Sequence, residues 1–141
     1  MPTTLSVKAV YEGGMRVRAT NGEHTAMFDY ALTPGEKTEG FTPLQMLMAS
    51  LAACTGNTIP LMLRKMRQPI TGFEVQVNAI RREEHPTILT EITLEFLVKG
   101  KGLDQHQVEE AVKKAENLIC PVWAMLKTGT KIASTFRIVE E

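Results

Sequence analysis

Apolar and polar positions alternate with period two near both ends of the chain and recur with helical spacing between them. Leu5, Val7 and Ala9 alternate with Ser6, Lys8 and Val10, the rhythm of a strand. Gly13-Gly14 allows a tight turn, Met15 to Thr20 reads as the return strand, and Asn21-Gly22 is a hairpin signal leading to a third strand over Thr25 to Asp29. After a polar loop from Pro34 to Gly40, Thr42 looks like an N-cap, with Pro43 at the first helical position and Gln45 placed for a capping box. That helix should run to about Arg67, where Gln68-Pro69 ends it, with a bend between Asn57 and Pro60. Phe73, Val75, Val77 and Ala79 then mark a half-buried strand, and Ile88, Thr90, Ile92, Leu94, Phe96 and Val98 mark the most regular strand of the chain. Asp104 caps a second long helix, its box closed by Gln107, and Val108, Ala111, Val112, Ala115, Leu118 and Ile119 form its apolar stripe. Val122 to Leu126 allows one more short helix, and Ile132, Ser134, Phe136 and Ile138 a last strand.

The resulting order is β-β-β-α-β-β-α-(α)-β. Hairpin connections imply mostly antiparallel pairing, hence an α+β fold. With 141 residues and no internal boundary, the chain reads as a single domain, 1–141. From Phe41 to Leu63 there is no charged residue, long enough to raise the question of a membrane. Thr42, Gln45, Ser50, Thr55, Gly56, Asn57, Thr58 and Pro60 interrupt that run, so it reads as a helix buried on every face inside a globular core, with no membrane partner. Sixteen basic residues balance sixteen acidic ones. No basic stripe is interleaved with aromatics, which argues against nucleic acid as a partner. Two cysteines do not make a disulfide scaffold, and no basic-then-apolar leader precedes the first strand, so a reducing, cytoplasmic setting is expected.

Candidate chemistry narrows to sulfur. Cys54 lies within the apolar helix, and Cys120 stands at an element boundary in Ile119-Cys120-Pro121-Val122. Each has an ordinary reading as a small buried hydrophobe. The redox reading requires that the fold bring both sulfurs together and that a neighbouring group favour the thiolate. Arg16 and Arg18, two apart on the second strand, are candidates for that group and read otherwise as a solvated edge. His24, His85 and His106 lack ligand spacing to each other or to the cysteines, so no metal is expected. No phosphate-cradling glycine loop is present either, and no bound cofactor is expected.

Phe41-Thr-Pro-Leu-Gln-Met-Leu-Met-Ala-Ser-Leu-Ala-Ala-Cys54-Thr resembles the cysteine helix of the OsmC/Ohr proteins, the osmotically inducible and organic hydroperoxide resistance family. Cys120-Pro121-Val122 resembles its second-cysteine motif. Gly100-Lys-Gly-Leu-Asp104, Arg81 to His85-Pro86 and Tyr11-Glu-Gly-Gly14-Met-Arg16 are similar to further parts of the family, in order. The resemblance implies an intertwined homodimer, with curved, mostly antiparallel sheets around a central buried helical layer and active sites at the subunit interface. It implies thiol-dependent reduction of organic hydroperoxides, with Cys54 as the peroxidatic thiolate, Cys120 as the resolving thiol and Arg16, or alternatively Arg18, as the supporting cation. An external thiol, a dithiol, would supply the electrons. Where Ohr-type members carry a glutamate that holds this arginine, ten residues before the cysteine, this chain has Leu44. That departure leaves a second reading open, a slow redox-sensing or small-ligand module of the same fold.

Overall fold

The computed structural model describes residues 2–141. They form two compact units, a first that ends at Leu47 and a second, Met48–Glu141.

The first unit is an antiparallel sheet of β1 (Lys8–Tyr11), β2 (Val17–Thr20) and β3 (Thr25–Phe28), in that order. Gly13 and Gly14, at φ of +98° and +57°, make the first turn in backbone space that side-chain-bearing residues avoid. The loop after β3 returns to its own start. Phe28 bridges Phe41, the Asp29 N–H donates to the Phe41 carbonyl, and the Asp29 carboxylate accepts from the N–H groups of Tyr30 and Glu39. Gly40 lies at this closure, where a Cβ would stand 1.9 Å from the Met27 carbonyl oxygen. The capping box forms: the Gln45 N–H donates to Thr42 Oγ1 at 3.2 Å, and Gln45 Oε1 accepts from the Thr42 N–H at 3.0 Å. Helix α1 (Pro43–Lys65) begins there and runs on into the second unit. The helix continues unbroken through Pro60.

α1 ends as a Schellman turn. The Gln68 N–H donates to the Leu63 carbonyl and the Arg67 N–H to the Arg64 carbonyl, with Arg67 at φ +60°. The second unit's sheet has the order β4 (Ile70–Arg81), β5 (Leu89–Gly100), β6 (Lys131–Val139). β4 pairs with β5 antiparallel, whereas β6 pairs with β5 in parallel. The parallel pair is reached by a crossover through α2 (Gln105–Lys114), a π-helical turn (Ala115–Ile119) and α3 (Pro121–Leu126), the connection that parallel neighbours require. The core joins Leu51, Ile59 and Leu63 of α1 to Ile92, Leu94, Phe96 and Val98 of β5 and to Val108, Ala111 and Ala115 of the crossover.

Three sequence expectations shift locally. Leu89 is buried and Ile88 exposed, because the β4–β5 register breaks between Ile80 and Arg81. Such an irregularity moves the alternation onto the neighbouring residue. At α2 the Asp104 side chain accepts from the N–H groups of His106 and Gln107. The other half of the box is filled by Gln68, whose Oε1 accepts from the Asp104 N–H at 2.8 Å, rather than by Gln107. Finally, only Leu51, Thr55, Ile59 and Leu63 of α1 are buried. Within one chain this helix covers a single stripe spaced four residues apart, and Leu47 and Leu61 remain open.

Candidate functional site

Cys54 is half-buried on α1, just before the fully buried Thr55. The Thr55 hydroxyl donates back to the Leu51 and Ala52 carbonyls, which satisfies a polar group in an apolar wall. Cys120 ends the π-helical turn and caps α3. Its N–H donates to the Ala115 carbonyl, and its sulfur accepts from the Trp123 N–H at 3.4 Å. Pro121 is at the first turn of α3, where its missing N–H leaves nothing unpaired. The turn carries Cys120 into the second unit's interior, with only 2% of its surface exposed.

Both sulfurs therefore meet. Cys120 Sγ stands 2.8 Å from Cys54 Sγ, the two cysteines are free thiols, and Cys120 donates to Cys54. The Cys120 thiol is pushed up to about 11, first by burial and next by the hydrogen bond to Cys54, against the smaller opposing pull of the Trp123 N–H. It stays a protonated donor at neutral pH, and Cys54 is the partner that reaches the surface. A bonded pair sits at about 2.0 Å, so forming it asks for less than about 1 Å of sulfur movement. Chemically this is a dithiol poised for two-electron oxidation.

Just past Cys54 a cleft of about 550 Å³ runs between α1 and β4, lined by Gly56, Asn57, Pro60, Leu61, Arg64 and Phe73 among others. Among the described residues no three His, Cys, Asp or Glu side chains gather as a metal site.

Arg16 and Arg18 belong to the first unit. Arg16 precedes β2, donates to the Glu12 carbonyl and pairs with Glu39 at 3.7 Å; Arg18 pairs with the Glu12 carboxylate at 3.0 Å. Arg16 thus has a carboxylate partner, from the loop after β3 and not from position 44, where Leu44 stands. Sequence reasoning missed Glu39, since nothing in its surroundings marks a side chain that partners a residue in a different strand connection. It also missed Glu116. Leu118 and Ile119 were expected on the buried stripe of the second long helix, yet they are 79% and 49% exposed. Glu116 is half-buried instead, and its carboxylate accepts from the Ser134 hydroxyl on β6. The cause is the π-helical turn, whose wider spacing breaks the 3.6-residue period.

The family model for OsmC-like proteins matches residues 35–135. This chain belongs to the OsmC family. Protein YhfA of Escherichia coli K12 is 31% identical over 98 residues, 70% of this chain and 73% of YhfA. Among solved structures, a hypothetical protein from Aquifex aeolicus VF5 superposes with a TM-score of 0.88 at 23% identity, over 99% of each chain. The organic hydroperoxide resistance protein OhrB of Bacillus subtilis superposes with a TM-score of 0.68 at 21% identity, over 96% of this chain and 98% of OhrB. At these identities the structural likeness is one of fold. The α+β architecture is thus the OsmC architecture, and both cysteines fall inside the matched span.

Proposed function

We propose that this OsmC protein is a thiol-dependent peroxidase that reduces organic hydroperoxides. The observation that carries the reading is the pair of free sulfurs 2.8 Å apart, one surface-reaching and one buried. The name borne by the OhrB neighbour supports the same class of substrate. The Cys54 thiolate attacks the outer oxygen of the hydroperoxide, the O–O bond breaks, and the leaving alkoxide takes a proton to become an alcohol. Cys54 is left as sulfenic acid. The Cys120 thiol attacks that sulfur, water leaves, and a Cys54–Cys120 disulfide forms before further oxidation of Cys54. An external dithiol returns both to thiols by exchange. Pro60, Leu61 and Phe73 of the α1–β4 cleft, which begins two residues beyond Cys54 along the chain, would favour an organic over a hydrogen peroxide substrate, since buried apolar surface contributes about 25 cal/mol per Å². Arg16 is assigned to favour the thiolate, with Arg18 as the alternative and Glu39 as the carboxylate that orients Arg16. The protein acts as a homodimer. The open faces of α1 and the exposed Leu5, Val7, Tyr11, Leu32 and Phe41 are the apolar surface that a second copy would cover.

Loss of cumene hydroperoxide with dithiothreitol as reductant tests the activity. Cys54→Ser should abolish it, and Cys120→Ser should leave one oxidation of Cys54 that proceeds to sulfinic acid. Turnover surviving in Cys54→Ser refutes the assignment. The second reading, a slow redox-sensing or ligand-binding module, is favoured by Leu44 and by the solvent-facing Arg16–Glu39 pair. It predicts disulfide formation with peroxide but no sustained turnover.

A further inference from the structure

β6 turns Ile132, Ser134, Phe136 and Ile138 inward. Ser134 is the polar member of that row and stands opposite the buried Leu94 of β5. Ser134 is half-buried, and the partner its hydroxyl has is the Glu116 carboxylate. Glu116 is the second residue of the π-helical turn that ends at Ile119, and the turn closes through the Cys120 N–H on the Ala115 carbonyl. The turn is therefore held at three places: its first carbonyl by Cys120, its Glu116 side chain by the sheet, and its far end by the Cys120 sulfur on Trp123. π-helical turns are uncommon and favour functional sites, because their extra residue re-aims the next stretch of chain. Here Leu118 and Ile119 are left exposed for it, and the residue so aimed is Cys120, the buried thiol.

We propose that Glu116 is a positioning residue for Cys120: anchored on Ser134, it fixes the π-helical turn so that the Cys120 sulfur lies within bonding reach of Cys54. Glu116 touches neither sulfur in this role. It raises the effective concentration of one thiol at the other by holding the backbone between them and β6. The inference rests on the two-cysteine reading of the site, but only on the dithiol–disulfide couple and not on peroxide turnover.

The test is an equilibrium with mixtures of reduced and oxidised dithiothreitol. The two cysteines give two electrons and two protons to the oxidised reagent, forming the Cys54–Cys120 disulfide and reduced dithiothreitol. Acid quenching, alkylation and intact mass give the disulfide fraction. Glu116→Ala and Ser134→Ala should each lower the equilibrium constant for the disulfide about tenfold, the scale of one hydrogen bond to a charged group. Glu116→Gln, which still accepts from Ser134, should recover to within about threefold. Alkylation of Cys54 in a Cys120→Ser background should be unchanged by the same substitutions. An equilibrium constant within about twofold of the wild type in both Ala variants overturns the proposal. So does an equal loss in Glu116→Gln and Glu116→Ala. If Glu116→Ala does not fold, Ser134→Ala decides, because it removes the anchor and leaves the carboxylate free to hydrate. A wild-type chain that forms the disulfide yet consumes no cumene hydroperoxide refutes the peroxidase reading alone.

Discussion

Oxidation should stabilise this protein strongly, and the size of the effect is set by where the sulfurs lie. Cys54 and Cys120 are 66 residues apart in sequence. A bond between them closes that loop in the unfolded chain and removes roughly 15 cal/mol/K of its entropy, about 4 kcal/mol at 25 °C. The free sulfurs stand at 2.8 Å, so the bond forms within the chain and the loop term sets the scale. For a domain of this size about 4 kcal/mol is a rise of roughly 15 °C in Tm. The assay is urea unfolding at one fixed protein concentration, followed by circular dichroism, of samples oxidised with stoichiometric peroxide and of samples kept in reductant. Cys120→Ser, treated in the same two ways, is the control and should show no redox-dependent difference. Oxidised and reduced wild-type protein within about 1 kcal/mol of each other would refute the reasoning. Oxidised samples linked between chains rather than within them would do the same.

Other outcomes are expected from single features. Asp104→Ala strips the N-cap from α2, where the carboxylate holds the His106 and Gln107 N–H groups; it should cost about 1 kcal/mol by urea unfolding, and an unchanged midpoint would contradict the cap. Arg67→Gly relieves an exposed, side-chain-bearing residue at φ +60° in the Schellman turn and should raise stability by up to about 1 kcal/mol; a lower melting temperature would contradict the strain. For Cys120, the unfolded thiol ionises near its ordinary 9.0 and the folded one at about 11. Between those values the unfolded chain holds fewer protons, so stability under reducing conditions should fall as pH rises through that window. Iodoacetamide labelling of Cys120, read by peptide mass, should likewise climb towards pH 11, and a labelling midpoint at or below pH 9 would contradict the buried thiol.

Local chemistry was legible wherever the deciding residues are neighbours. The Thr42–Gln45 box and the alternation of β4 formed as the spacing indicated, because a cap or a pleat is settled within a few positions. Legibility failed where a distant partner or an irregular turn decided the outcome. Ile88 lost its inward place to Leu89 through a register break in which Thr90 of β5 falls outside the pairing with Ile80 and Arg81, an irregularity visible only once the two strands are aligned. Gln107 lost its part in the cap to Gln68, 36 residues away from Asp104. Leu118 and Ile119 fit a continuous 3.6-residue stripe, and only a widened turn put them outside. The candidate site divides in the same way. Each cysteine had an ordinary core reading, and the motif resemblance, not periodicity, joined them. Their meeting is a property of the crossover between β5 and β6. The residue that pairs with Arg16 was invisible, since Glu39 sits in a loop with no pattern of its own.

That loop has a consequence for how the chain can vary. Its base is clasped by Phe28 on Phe41 and by the Asp29 carboxylate on Glu39, with Gly40 leaving no room for even a methyl group. The segment between Tyr30 and Thr38 hangs from that clasp, and the entropy of closing a loop grows only as the logarithm of its length. Insertions and deletions should therefore collect between those two residues, while Asp29 and Gly40 stay fixed as a hinge pin does when the door is replaced.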